Sequence, residues 1–143
     1  MSGRKSSKVI FDTNIWISFL IGKRLQNIKD LIADQQIVII LSEALLLELQ
    51  TVTQRPRLKK YFPEQKVAEL IEFLRAVGQV HQPVVNNQLS RDAKDNFLLD
   101  LAETSKAEFL VTGDKDLLVL NPFRKTQILT PADFEEAVRK ASR

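Results

Sequence analysis

Val9-Ile10-Phe11-Asp12-Thr13-Asn14 is a short apolar run that stops at a carboxylate followed by two small polar side chains. It reads as a strand, with Thr13 or Asn14 capping a helix through Trp16, Phe19 and Leu20 toward Gly22. Lys23 and Arg24 open a polar break, Leu25 to Asp34 reads as a second helix, and Gln36 to Leu41 is an aliphatic run suited to a strand buried on both faces. Ser42 caps a helix that must end near Arg55, because Pro56 disfavours helical geometry in the residue before it. Pro63 opens another helix, which stops at Gly78; Gln79 to Val85 is a weaker strand carrying Pro83.

From Ser90 the pattern is helical to about Lys106, and Glu108 to Thr112 is a strand that Gly113-Asp114 turns into a short helix at Leu117 to Leu120. Gln127 to Leu129 is a last strand, and Thr130-Pro131-Ala132-Asp133 a capped helix start. Strands alternating with helices predict an α/β/α sandwich with a mostly parallel central sheet, whose ligands sit at the carboxyl ends of the strands. One domain over residues 8–141 is expected, preceded by a disordered leader or cloning remnant over residues 1–7.

Composition narrows the chemistry. At 143 residues one domain buries roughly two-thirds of its unfolded surface. The chain has no cysteine, which excludes disulfides, thiolate zinc sites, iron–sulfur clusters and a cysteine nucleophile, and fits a reducing cytosol. Its one histidine, His81, excludes paired-histidine chemistry and reads as structural or exposed. Net charge is +3 with 18 acidic residues, so the chain is only mildly basic. The start lacks a secretory apolar region, and the most apolar stretch, Ile37 to Leu49, is interrupted by Ser42, Glu43 and Glu48 and is too short for a bilayer. A soluble, cytoplasmic protein without a membrane partner is expected.

Acidic residues carry the candidate chemistry. Asp12 and Asp114 follow strands that parallel topology would bring to one edge. Glu48 flanks the apolar stripe of Leu45, Leu49 and Val52, and Asp95 precedes Leu98, Leu99 and Ala102 by helical spacings; Glu43 and Asp100 point away, while Asp92 lies one turn before Asp95 on the same side. Carboxylates gathered at a core face repel one another, and a bound cation resolves that cost. Oxygen-only ligands suit Mg²⁺ or Mn²⁺, and paired ions roughly 3.5–4 Å apart serve phosphoryl displacement. Taken singly, Asp12 also fits an ordinary turn, and Asp92 and Asp114 fit helix caps. Glu48, in mid-helix, has no capping explanation.

Phe11-Asp12-Thr13-Asn14, Leu47-Glu48-Leu49, Asp92-Ala93-Lys94-Asp95-Asn96 and Val111-Thr112-Gly113-Asp114-Lys115-Asp116-Leu117-Leu118, in that order, resemble the PIN-domain nucleases, most closely the VapC-type toxins of toxin–antitoxin pairs. The resemblance runs from about Lys8 to Phe134. It implies cleavage of single-stranded RNA, dependent on one or two Mg²⁺ or Mn²⁺ ions, leaving 5′-phosphate and 3′-hydroxyl ends. By position, Asp12, Glu48, Asp95 and Asp114 are the implied catalytic, metal-binding acids, with Asp116 as an extra ligand and Asp92 able to share the role of Asp95. Asn14 and Thr112 are the implied supporting groups. A small antitoxin protein is the implied partner, and toxins of this type often pair as homodimers.

Other features bear on partners. Arg55, Arg57, Lys59 and Lys60 beside Tyr61 and Phe62 read either as a solvated helix end or as a phosphate-tracking rim with aromatic stacking. Trp16 and Phe19 read as core, and Leu117, Leu118, Val119, Leu120 and Phe123 as core or a dimer surface. Alternatives are a housekeeping RNA-processing nuclease, a non-catalytic PIN-like module binding RNA or protein, and a response-regulator receiver. The receiver is disfavoured: it needs an acidic pair at the first strand and an aspartate ending a middle strand, where this chain has Asp12-Thr13-Asn14 and Ser42.

Overall fold

Among the described residues, five strands form one parallel sheet in the order β3-β2-β1-β4-β5: β1 (Ser7–Phe11), β2 (Ile37–Leu41), β3 (Gln79–Val80), β4 (Phe109–Val111) and β5 (Gln127–Leu129). The computed structural model describes residues 6–22 and 24–141. Among the described residues, seven helices connect and flank the strands: α1 (Thr13–Ile21), α2 (Leu25–Ala33), α3 (Glu43–Thr53), α4 (Glu64–Val77), α5 (Ala93–Ser105), α6 (Lys115–Leu118) and α7 (Pro131–Ala141). The chain first builds outward from β1 through β2 to β3, then crosses back through α5 to β4 on the other side of β1. That reversal lies between β1 and β4, where open α/β sheets place their ligands.

Phe11 stands edge-on to Trp16 and Phe19 of α1 and to Phe134 of α7, with centroids 5.1, 5.2 and 5.4 Å away. These contacts fix α1 and α7 on one face. Right-handed crossovers place α5, which runs back across the sheet, on the other face. Trp16 and Phe19 are core, as their spacing predicts. Truncating a side chain as enclosed as Leu99 to alanine costs roughly 2–5 kcal/mol. Gly78 ends α4 tightly against β2: a Cβ there would lie 2.7 Å from Leu41 Cδ1 and 2.9 Å from Leu74 O. Only glycine lets the chain turn into β3 so close to β2.

Several local expectations shift. Ser7, expected in the leader, is in β1, its amide donating to Gln36 O at 3.0 Å; Met1 to Lys5 and Lys23 lie outside the described residues. Asp12 caps α1 in place of Thr13 or Asn14, its carboxylate accepting from Asn14 N. The expected strand Gln79 to Val85 shrinks to two residues, since pairing with β2 ends where His81 N donates to Leu41 O. Helix α5 begins at Ala93, capped by Asp92, with residues 81–92 crossing in irregular conformation. Phe62 joins the core, while Tyr61 is exposed. Asp100, expected to lean away, is buried, because the 81–92 segment covers that side of α5. No helix among the described residues is long and apolar enough to cross a membrane.

Candidate active site

Asp12 continues the β1–β4 ladder by its backbone, its amide donating to Val111 O at 3.0 Å, so its side chain emerges at the carboxyl edge of the sheet. Thr112, fully buried after β4, donates from Oγ1 to Asp12 Oδ2 at 2.9 Å and accepts on the same oxygen from Asp114 N at 3.1 Å. One hydroxyl thus sets the spacing of two acids from neighbouring strands. Burial raises the Asp12 pKa; Thr112 and the Asn14 amide oppose the rise, and the charges of Glu48 and Asp114 add to it.

Glu48 reaches the same edge from α3. The buried Thr13 hydroxyl donates to its Oε1 at 2.6 Å, and Lys94 Nζ of α5 lies 3.4 Å from Oε2. Asp95, in the first turn of α5 and 4% exposed, accepts from Ser90 Oγ at 3.1 Å. Ser90 is locked by Asn96, whose Oδ1 accepts from Ser90 N at 2.9 Å and whose Nδ2 donates to Ser90 O at 2.8 Å. The pKa of Asp95 is pushed up to about 6, by burial first and then by the charge of Asp114; the Ser90 bond opposes this, and Asp114 and Asp92 add to the rise.

Asp12, Glu48, Asp95 and Asp114, from four different elements, line one cleft of about 830 Å³. Asn14, Asp92 and Arg55 line it as well. Carboxylate oxygens of Asp95, Asp114 and Asp116 lie within 4.8 Å of one another, a hard-oxygen set suited to a divalent cation. Asp116 also lies 3.9 Å from Arg91. The capping readings hold at the same time: Asp12, Asp92 and Asp114 each accept an amide two residues on, so one oxygen anchors the turn while the carboxylate faces the cleft. Arg57, Lys59 and Lys60 are exposed, apart from the residues lining the cleft. Of the apolar cluster near the end, Leu117 and Phe123 are buried and Val119 is 77% exposed.

As partners of the acids, Thr13, Ser90 and Lys94 were not singled out by sequence reasoning. Thr13 was discernible in principle: a mid-helix carboxylate beside apolar neighbours needs a donor, and a hydroxyl next to Asp12 is a natural source. Ser90 and Lys94 carry no comparable signal.

The chain matches the PIN domain family over residues 8–116. It is a member of the PIN domain family. The uncharacterized protein MJ1680 of Methanocaldococcus jannaschii is 33% identical over 144 residues, covering 93% of this PIN-domain chain and 92% of its own length. The crystal structure of PAE2754 from Pyrobaculum aerophilum superposes with a TM-score of 0.60 at 12% identity, over 96% of this chain and 90% of that one, a likeness of fold. PIN domains are typically nucleases and generally use divalent metal ions.

Proposed function

We propose that this PIN domain is a Mg²⁺- or Mn²⁺-dependent endoribonuclease hydrolysing single-stranded RNA, with Asp12, Glu48, Asp95 and Asp114 as its catalytic acids. The observation that carries the reading is the convergence of these four carboxyls on one cleft beside the β1/β4 switch. The raised pKa values of Asp12 and Asp95 mark carboxylates short of positive charge, which fits a cation site.

A bound divalent ion supplies charge neutralisation at the phosphodiester and a water acidified toward neutral pH. Asp12, Glu48, Asp95 and Asp114 would hold it, with Asp116 as an extra ligand beside Asp95 and Asp114 and Asp92 able to contribute from the rim. Thr112 keeps Asp12 and Asp114 in register and Ser90 orients Asp95. Asn14, exposed in the cleft, is placed to meet substrate. Arg55 lines the cleft and begins a basic rim continued by Arg57, Lys59 and Lys60, which would track RNA phosphates, with Tyr61 exposed for stacking.

Asp12→Asn and Asp95→Asn should each reduce RNA cleavage at least about a hundredfold with the fold intact, and EDTA should abolish wild-type cleavage. Full activity in both variants, or indifference to EDTA, would refute the assignment. The role as toxin of a toxin–antitoxin pair, restrained by a small antitoxin and acting in the cytoplasm, is part of the proposal and is supported by the motif resemblance. Expression alone should arrest growth, with relief by the product of an adjacent small reading frame. Absence of both effects would favour housekeeping RNA processing.

A further inference from the structure

We infer that Lys94 is a resident counter-cation of the cleft, which competes with the metal ion for Glu48 and so sets the metal concentration the site requires. This rests on the proposed metal-dependent nuclease. Lys94 occupies the second position of α5, immediately after Ala93 and before Asp95. A helix N-terminus disfavours positive charge, so this lysine finds no support from its own helix. Its backbone amide is tied to Asp92 Oδ1 at 2.9 Å, which fixes where its side chain starts. From there the ammonium crosses to α3 and lies 3.4 Å from Glu48 Oε2.

Glu48 is thus divided between two partners. Oε1 takes the neutral Thr13 hydroxyl and stays anchored, while Oε2 takes the one group that a second cation would replace. The side chains of Lys94 and Glu48 are 66% and 31% exposed, so the ammonium can swing into solvent on its flexible stem as another cation enters. Like charges in one cleft repel, and the metal-free and metal-bound arrangements of Lys94 are therefore different.

Calorimetric titration of the full chain with Mn²⁺ alone, without RNA, tests this. Lys94→Met and Lys94→Gln should each bind Mn²⁺ about two- to fivefold more tightly than wild type, the range of exposed ion pairs, and Lys94→Arg should match wild type. In a Glu48→Gln background the gain from Lys94→Met should vanish. Unchanged or weaker binding in both neutral variants overturns the inference, as does a gain that persists undiminished without the Glu48 carboxylate, which would mark a general field effect. Wild-type protein that binds no Mn²⁺ overturns the metal-dependent reading itself, whereas wild-type binding that the neutral variants leave unaltered overturns only the role of Lys94.

Discussion

Helix α5 buries two aspartates one and a half turns apart, and they live in opposite surroundings. Asp100 is 8% exposed and accepts from Asn87 N at 2.7 Å and from Asn87 Nδ2 at 2.9 Å. Asn87 also donates to Glu103, and Thr104 receives the Val84 amide, so this side of α5 ties down the 81–92 segment. Asp95 is as deeply placed but receives one hydroxyl, and its other close groups are acids. A buried carboxylate with amide donors is complete as it stands. A buried carboxylate facing other carboxylates carries a charge its own donors do not balance, which a proton or a bound cation can relieve. Burial by itself therefore does not distinguish structural acids from chemical ones; the donors do.

The sharpest way to break this contrast is through stability. Asp100→Ala should lose about 2 kcal/mol, or roughly 4–8 °C in Tm, because it strips two hydrogen bonds from a charged acceptor and loosens the covering segment. Thermal melts check the loss, and Mn²⁺ affinity measured well below Tm should be unchanged. A large fall in affinity would show that the two aspartates are not separate in role.

Asp95→Asn should do the reverse in metal-free protein, raising Tm by roughly 3–6 °C near neutral pH. The sign follows from the raised pKa. The folded state holds the Asp95 proton more tightly than the unfolded chain, so this carboxyl costs stability progressively as pH rises from the ordinary carboxylate range through about 6, and fully above it. The advantage of the amide should accordingly shrink as the melts are moved toward pH 4. An advantage that stays constant with pH would remove ionisation as its cause.

Two smaller effects refine the acidic side. Thr13→Val keeps the buried shape but deletes the donor to Glu48, and should weaken Mn²⁺ binding about tenfold. Arg55→Gln should weaken single-stranded RNA binding about two- to threefold and flatten its dependence on salt. An unaltered salt dependence would return Arg55 to the role of a solvated helix end.

Much of the architecture was legible because it depends on local pattern. The aliphatic run at Ile37 to Leu41 could be read as a strand buried on both faces, and Ser42 and Gly78 end elements by chemistry that acts within one turn. Boundaries slipped where two local signals compete, as at Asp12-Thr13-Asn14, where each side chain can cap and the carboxylate prevails. At Gln79 to Val85 the weaker strand expected, with Pro83 inside it, closed its ladder with β2 after two residues.

The sequence by itself determined the alternation of strands and helices, the helical phase of Glu48 and Asp95, and the positions of Asp12 and Asp114 at strand ends, since periodicity and capping are short-range. It also misjudged Asp100, whose phase on α5 says nothing about the segment that folds over it. Only the tertiary structure decided which acids share a cleft, that Asp116 joins Asp95 and Asp114, that Thr13 and Lys94 divide Glu48 between them, and which buried aspartate has its donors. Those relations join residues from separate elements, as Thr112 joins Asp12 across β1 and β4, and the spacing between such partners is set by packing and sheet order, which no local pattern encodes.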